Sequence, residues 1–265
     1  MTAPFKGRIG NQMFIYATLL GLASSQNRTA FTRSGTILEN AFEITHVNNT
    51  ISTAGFRTVG ESKFATFDAR LLKLSRENIT LAGYFQVWKY FRNIDEYIRR
   101  EFTLRAAMRE QINELLDKFR GDVKGHILVG VHVRRGDLLF SKFKRYGYGV
   151  AKASYFMKAF ERMRSMLNSS DVTFVVVSDD LEWCHENLNS TDVQILEPGS
   201  AVLHFGVLAS CDHVIISGGT YGWWAAWLAN GITIYYDRFF INGTDLMRGV
   251  SLQDYYPPEW VALGD

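Results

Sequence analysis

ILVGVHVRRGD, residues 127–137, is an apolar, β-branched run that stops abruptly at charge. Ile127, Leu128, Val129, Val131 and Val133 have the length and branching of a buried strand. His132, Arg134, Arg135, Gly136 and Asp137 then place polar groups at its carboxyl end. In open α/β sheets that end is where ligands bind. Two guanidiniums there point to an anion, because Arg grips phosphate in a bidentate fork and Gly136 permits a tight turn with close backbone approach. The plainer alternative is that Arg134 or Arg135 pairs with Asp137 at a strand end.

Downstream the pattern is regular. A basic, glycine-bearing loop is expected over 141–149 and an amphipathic helix over 154–167. A second strand, 172–177, ends in Ser178-Asp179-Asp180. A short helix at 183–188, a strand at 193–196, a helix at 201–210, a strand at 213–217, a helix at 223–229 closed by Asn230-Gly231, and a strand at 232–236 follow. Strands alternating with helices argue for a parallel sheet covered on both faces. Polar groups then gather on one edge: HVRRGD after the first strand, SDD after the second and Ser217-Gly218-Gly219-Thr220-Tyr221-Gly222 after the fourth. The last run hands over to a helix start, where backbone N–H groups and the Ser217 and Thr220 hydroxyls suit phosphate oxygens. Its glycines also fit plain turn chemistry, and Trp223, Trp224 and Trp227 read as helix packing. Asp179 or Asp180 suits a base edge or ribose, or equally a helix cap.

Upstream, Gly7-Arg8-Ile9-Gly10-Asn11-Gln12 reads as a glycine turn feeding a helix over 13–25. Its GxxGN spacing is neither a dinucleotide fingerprint nor a P-loop. Residues 29–67 are turn-rich, and 81–91 are densely aromatic, which fits core filling or stacking faces for a sugar. A helix is expected over 95–119, with Ile98, Phe102, Met108, Ile112, Leu115 and Leu116 near helical spacing. A break at 121–125 sets the expected boundary between an N-terminal domain, 1–120, and a C-terminal domain, 121–265.

Apolar residues make up 47% and charged residues 21%, as in ordinary globular proteins. With 29 basic against 27 acidic residues the net charge is +2, so no global field attracts nucleic acid. The apolar stretch 13–23 is short of the roughly 20 residues of a membrane span and no basic lead precedes it, so neither anchor nor signal peptide is expected in this chain. Asn-x-Ser/Thr occurs six times, at Asn27, Asn48, Asn78, Asn168, Asn189 and Asn242, against about 1.7 expected by chance, an excess that favours a glycosylating, lumenal compartment. Cys184 and Cys211 read as buried free thiols and form no metal motif.

GRIGNQM near the start, HVRRGD in the middle and SGGTYGWWAAWL near the end, in that order, resemble the animal α-1,2-fucosyltransferases of glycosyltransferase family eleven. RYGYGVAKASYF, EWCHENL and SCDHVIISGG resemble family segments too, while the HxRRxD element is shared more widely with α-1,6-fucosyltransferases and protein O-fucosyltransferases. The resemblance implies an α/β, GT-B-like fold of two facing Rossmann-type domains, the C-terminal one with a mainly parallel sheet. The first domain would lie on the acceptor side and the second would bind GDP-fucose. It also implies inverting transfer of L-fucose from GDP-β-L-fucose to the 2-hydroxyl of a terminal β-galactoside, on glycoprotein or glycolipid glycans, with no cofactor and no required metal. The expected location is the Golgi, with the cytoplasmic tail and single type II membrane anchor usual in the family, whereas here only Met1 to Phe5 and Lys6 precede the first motif.

By motif position, Arg134 would be catalytic, contacting the β-phosphate, with His132 and Arg135 adjoining the nucleotide and Asp137 bracing the loop. Ser217, Gly218, Gly219 and Thr220 would lie near the diphosphate. Arg8, Gly10 and Asn11 would lie near fucose or acceptor. A guanine-side role for Asp179 and Asp180 is carried over from the α-1,6 branch, since mammalian relatives lack an Asp-Asp there. Glu39, Glu43 and Asp68 are available carboxylates in the first half, but none declares itself as a base. The rival readings are an inactive or truncated GDP-fucose- or glycan-binding relative, and an enzyme using another nucleotide sugar, because phosphate-binding groups do not read the sugar.

Overall fold

The computed structural model describes residues 1–121, 125–169 and 171–265, which form two compact units. Met1–Arg105 with Gly249–Pro258 make the first, and Ala106–Arg248 with Glu259–Asp265 the second. The break expected at 121–125 lies largely outside the described residues.

Strands are short in the first unit. β1 (Arg57–Gly60) and β2 (Ile79–Ala82) pair in parallel, and Thr2 bridges to Thr80 in the same sense. Phe31 N–H reaches the Met1 carbonyl at 3.0 Å, and Thr32 bridges in parallel to Val47. α1 (Ile9–Ser25) joins residues 1–3 to 30–32 in the strand–helix–strand manner of a Rossmann unit. Thirteen of its 17 residues are buried, so it is a core helix with no solvent face. Gly21 allows this, since a Cβ there would sit 2.1 Å from the Tyr90 carbonyl oxygen. The helix starts four residues earlier than expected, because the Arg8 carbonyl accepts the Asn11 and Gln12 N–H groups. GRIGN is thus the helix's opening turn. α2 (Ile37–Ala41) carries a capping box of Thr36 and Glu39.

The helix expected over 95–119 is two, α3 (Asp95–Glu101) and α4 (Ala106–Arg120). Residues between them leave the helix to pair with 41–43: Glu43 N–H reaches Thr103 O at 2.9 Å and Arg105 N–H reaches Ala41 O at 3.0 Å. Phe102 packs 5.1 Å from Phe42, centroid to centroid. Tertiary pairing overrides helix propensity here.

The second unit is built on one six-stranded sheet: β3 (Ile127–Val133), β4 (Val172–Ser178), β5 (Val193–Ile195), β6 (His213–Ile216), β7 (Thr233–Tyr236) and β8 (Val261–Leu263). The order is β5-β4-β3-β6-β7-β8 with every pairing parallel. Counted from β3 as strand one, this is 3-2-1-4-5-6, the doubly wound order whose switch point lies between β3 and β6. Its helices are α4, which opens the unit, α5 (Ser141–Tyr146), α6 (Ala153–Leu167), α7 (Leu181–Asn187), α8 (Ala201–Ala209), α9 (Gly219–Ala229) and α10 (Asp245–Arg248). Gly130 lets α8 approach β3, because a Cβ there would meet Leu208 at 3.0 Å. Trp223 and Trp224 are fully buried and Trp227 is 9% exposed, as helix packing requires.

Three local expectations change. The loop expected at 141–149 contains α5, closed where the Gly147 N–H reaches Phe143 O with φ +125. α9 begins at Gly219, so Gly219 and Thr220 belong to its first turn. β8, only three residues long, adds an edge strand absent from the sequence reading. Both cysteines are buried and free. Five of the sequon asparagines are exposed and Asn48 is half-buried, while Ser170, which completes the Asn168 sequon, lies outside the described residues. Among the described residues no helix is long and apolar enough to cross a membrane.

Candidate functional site

β3 delivers its polar end to the switch point. His132 is 5% exposed and pairs in register with Ile216 of β6. Its ring lies 5.2 Å from that of Tyr221, and Gly222 is required beside it, since a Cβ there would sit 2.3 Å from Nδ1. Burial, and then the Arg134 charge, lower its pKa to about 3, so the imidazole is neutral at physiological pH. Among the described residues Nδ1 has no hydrogen-bond partner.

Ser217 ties the two strand ends together. Its N–H and its hydroxyl both donate to the His132 carbonyl at 3.1 Å, and the hydroxyl oxygen accepts the Arg134 N–H at 2.7 Å. The turn that follows needs glycine at Gly218: φ is +137, and a Cβ would sit 2.0 Å from the Phe239 ring. Gly219, at φ +80, faces open space. The N-cap of α9 is Gly218, which has no side chain to offer it. The helix's first N–H groups carry the positive end of the helix dipole and are suited to an anion.

Both arginines are held in ion pairs. Arg134 pairs through Nη1 with Asp179 and through Nη2 with Asp137. Arg135 donates its backbone N–H to Asp179 at 2.8 Å, its Nε to Asp180 at 2.9 Å and its Nη1 to Ala151 O at 3.4 Å. Its guanidinium also lies 3.9 Å from the Trp183 ring centroid, a cation–π contact. Asp180 caps α7 through the Trp183 N–H at 3.4 Å, and its own N–H reaches the Ser178 hydroxyl at 2.9 Å. Gly136 makes room for Asp179, because a Cβ there would sit 2.5 Å from Oδ2. The pairing of Arg134 with Asp137, weighed from sequence as the alternative to anion binding, is present. It extends to Asp179, and Arg135 is held in turn by Asp180, so carboxylates fix both guanidiniums on this edge.

The structure thus brings His132, Arg134, Arg135, Asp137, Asp179, Asp180 and Ser217 to Thr220 to the carboxyl edge of one sheet. Arg8, Gly10 and Asn11 lie in the first unit. There Arg8 is exposed at the N-cap of α1, Gly10 is buried in the first turn, and Asn11 Oδ1 accepts from Gln86 Nε2 at 3.0 Å. Gly7, at φ +76, brings the turn onto Asn11, since a Cβ would meet Nδ2 at 2.4 Å. Trp183, Tyr221 and Gly222 were not singled out from sequence for the second-unit site. The last two stand inside the SGGTYG run, whose spacing into the helix was the available signal. Among the described residues, no group of three or more His, Cys, Asp and Glu is placed to hold a metal ion.

Comparison with known proteins bears on what this edge does. Residues 1–264 match the sequence profile of glycosyl transferase family 11. Galactoside alpha-(1,2)-fucosyltransferase 1 of Saimiri sciureus is 33% identical over 97% of this chain and 73% of its own length. Galactoside 2-alpha-L-fucosyltransferase SEC1 of Bos taurus is also 33% identical, over 97% and 72%. Among solved structures, NodZ alpha-1,6-fucosyltransferase soaked with GDP-fucose superposes with a TM-score of 0.62 at 16% identity, covering 89% of this chain and 94% of that one. An Arabidopsis thaliana FUT1 mutant in complex with GDP gives 0.58 at 11% identity, covering 94% and 72%. At those identities the likeness is one of fold, the α/β, GT-B-like fold expected from the motifs.

Proposed function

The chain belongs to glycosyl transferase family 11, and from that premise we propose that it transfers L-fucose from GDP-β-L-fucose to the 2-hydroxyl of a terminal β-galactoside, with inversion and without a metal. The observation that carries the reading is the placement of Arg134. Its guanidinium stands at the carboxyl end of β3, its N–H is locked to Ser217 across the switch point, and the α9 N-terminus begins two residues beyond Ser217. As the bond from C1 to the β-phosphate oxygen breaks, the diphosphate gains negative charge. Donors fixed beforehand stabilise that gain more than they stabilise bound substrate, which is what makes them catalytic.

In this reading Arg134 exchanges part of its pairing with Asp179 for the β-phosphate, while Asp137 keeps the guanidinium aimed. Gly219 and Thr220 offer the α9 N–H groups to the diphosphate, with Ser217 and Gly218 shaping the turn that presents them. Neutral His132 and Arg135 adjoin the nucleotide, and Asp180 and Asp179 hold Arg135 on its nucleoside side. Arg8, Gly10 and Asn11 serve fucose or acceptor. The six sequons support a lumenal setting, the Golgi, where galactose-terminated glycans on glycoproteins or glycolipids are the acceptors.

The test is fucose transfer to a panel of galactosides in EDTA by the protein and its Arg134→Ala variant. Loss of one such donor typically lowers kcat about 10²- to 10³-fold, or roughly 2.7–4 kcal/mol, and that loss is expected with the fold intact. Normal turnover by the variant would contradict the assignment.

A further inference from the structure

The three most exposed large apolar side chains among the described residues stand together, on a turn to which the proposed reaction gives no task. They are Phe140 at 60%, Tyr146 at 54% and Leu139 at 53%. A 3-10 turn, Gly136–Leu139, runs out of the HVRRGD motif into α5, and all of residues 139–146 except Phe143 are exposed. Helical spacing sets Phe140, Phe143 and Tyr146 on one face, three residues apart. Lys142, Lys144 and Arg145 fall off that face and are exposed. Lys142 Nζ lies 5.1 Å from the Phe143 ring centroid and 6.0 Å from that of Phe140. Over 138–160 there are five basic residues and no acidic one, while the whole chain is nearly balanced at 29 to 27. The positive charge here is therefore local. Asp245, on the segment beside the base of the turn, is already matched by Arg248 at 2.8 Å.

The base of the turn is fixed. Tyr148 bridges antiparallel to Phe240, Gly149 N–H reaches Phe239 O at 2.8 Å, and Ile241 N–H reaches Gly147 O at 2.8 Å. Phe143 and Tyr146 rest on the Tyr148 ring at 6.3 and 5.9 Å, and that ring lies 5.2 Å from buried Phe239. The outer side chains are thus presented on a preformed support, which leaves little ordering for binding to cost. Small ligands take concave pockets, whereas this tip protrudes. A second copy docking through the same face would set these three cations against their own copies, like charge against like. A layer of phosphates over hydrocarbon matches both halves of the tip. Lys and Arg beside Phe, Tyr and Leu on one short amphipathic turn are the composition of an interfacial segment.

We propose that residues 139–146 dock the second unit on an anionic lipid surface. Leu139, Phe140 and Tyr146 enter the headgroup layer, and Lys142, Lys144 and Arg145 meet lipid phosphates. Docking itself stands apart from the fucosyltransferase reading, but with that reading it has a consequence. Asp137, which pairs with Arg134, lies two residues before Leu139, so docking holds the edge that carries Arg134 beside the lipid. β-Galactosides carried on lipids are then favoured as acceptors over free ones.

The experiment floats the protein with vesicles of phosphatidylcholine alone or with phosphatidylserine added, at low and high salt. Each basic side chain at an anionic surface contributes roughly fivefold in partitioning. The wild type is expected to bind the anionic vesicles, and Lys142→Gln/Lys144→Gln/Arg145→Gln to bind them about 10²-fold more weakly. Leu139→Ser/Phe140→Ser should weaken binding at least about tenfold. The emission of Tyr146→Trp should shift to the blue with anionic vesicles and stay unchanged with phosphatidylcholine. Thermal unfolding should be the same in all three variants, since the altered side chains are exposed. Transfer to β-galactosylceramide in the anionic vesicles should fall with binding, while transfer to lactose stays within about twofold. Failure of the wild type to bind anionic vesicles, or binding that survives both multiple variants, overturns the proposal. Release from the vesicles by a soluble acidic oligosaccharide overturns it in favour of a glycan site. Self-association abolished by Leu139→Ser/Phe140→Ser overturns it in favour of an interface between copies. A wild type that docks but transfers fucose to neither acceptor refutes the fucosyltransferase reading and leaves docking standing.

Discussion

The two units place charge at their strand ends in opposite ways. In the second, Arg134 and Arg135 are both already paired, against Asp137, Asp179 and Asp180, and two glycines, Gly136 and Gly218, have space for nothing larger. In the first, one carboxylate, Glu61, rests on two backbone amides beside a strained Phe85. The arrangement in the second unit fixes the direction of the guanidiniums through ion pairs. The carboxylate of the first unit is instead satisfied by backbone amides, with no ion pair among the described residues to hold it.

The largest stability contrast expected lies within the second edge. Gly218→Ala places a Cβ into the Phe239 ring at a backbone conformation that favours glycine, so destabilisation of about 3 kcal/mol is expected. Gly219→Ala, with open space beside it, should cost only about 1 kcal/mol for its positive φ. Denaturant unfolding of the two variants measures the difference. Equal losses would mean that the turn is not shaped by Phe239.

The next effect is one of pH. His132 titrates near 6.5 when unfolded and at about 3 in the fold, where burial disfavours its charge. Below pH 6.5 the unfolded chain binds the extra proton first, so this contribution to stability is present above 6.5 and lost as pH falls toward 3, at up to about 1.4 kcal/mol per pH unit. Urea unfolding between pH 7 and 4 should show that slope, and His132→Gln should flatten it. An unchanged slope would mean that His132 is more solvated than its 5% exposure indicates.

Smallest is the effect at Asp180, which caps α7 and holds Arg135 against Trp183. Asp180→Ala should lose about 1 kcal/mol, the usual value of a cap, and weaken GDP binding a few-fold as Arg135 loses its tether. Calorimetry of folding and of GDP binding checks both. A stability loss with GDP affinity unchanged would detach Arg135 from the nucleotide.

The same contrast explains what was legible in the sequence. β3, β4, β6 and β7 are β-branched runs broken by glycine or polar turns, so the second unit's alternation and its polar edge could be read directly. The first unit's strands are four residues long, and Thr2 joins the sheet, and Thr32 pairs with Val47, through single bridges that leave no periodic trace. The 95–119 helix misled because its break depends on residues 41–43, far away in the chain. α5 was hidden by its basic residues and by the glycine that closes it after only six residues. HVRRGD announced the arginines, yet their pairing with Asp179 required β4 to be placed beside β3. Glu61 follows a strand too short to predict and stands in no motif.

The central claim is tested most directly by the linkage of the product. The protein, GDP-β-L-fucose and a terminal β-galactoside are incubated in EDTA, and the product is examined by NMR. The account predicts fucose in the α configuration on the 2-hydroxyl of galactose. Fucose in the β configuration, attachment at another hydroxyl, or GDP binding with no product would contradict it.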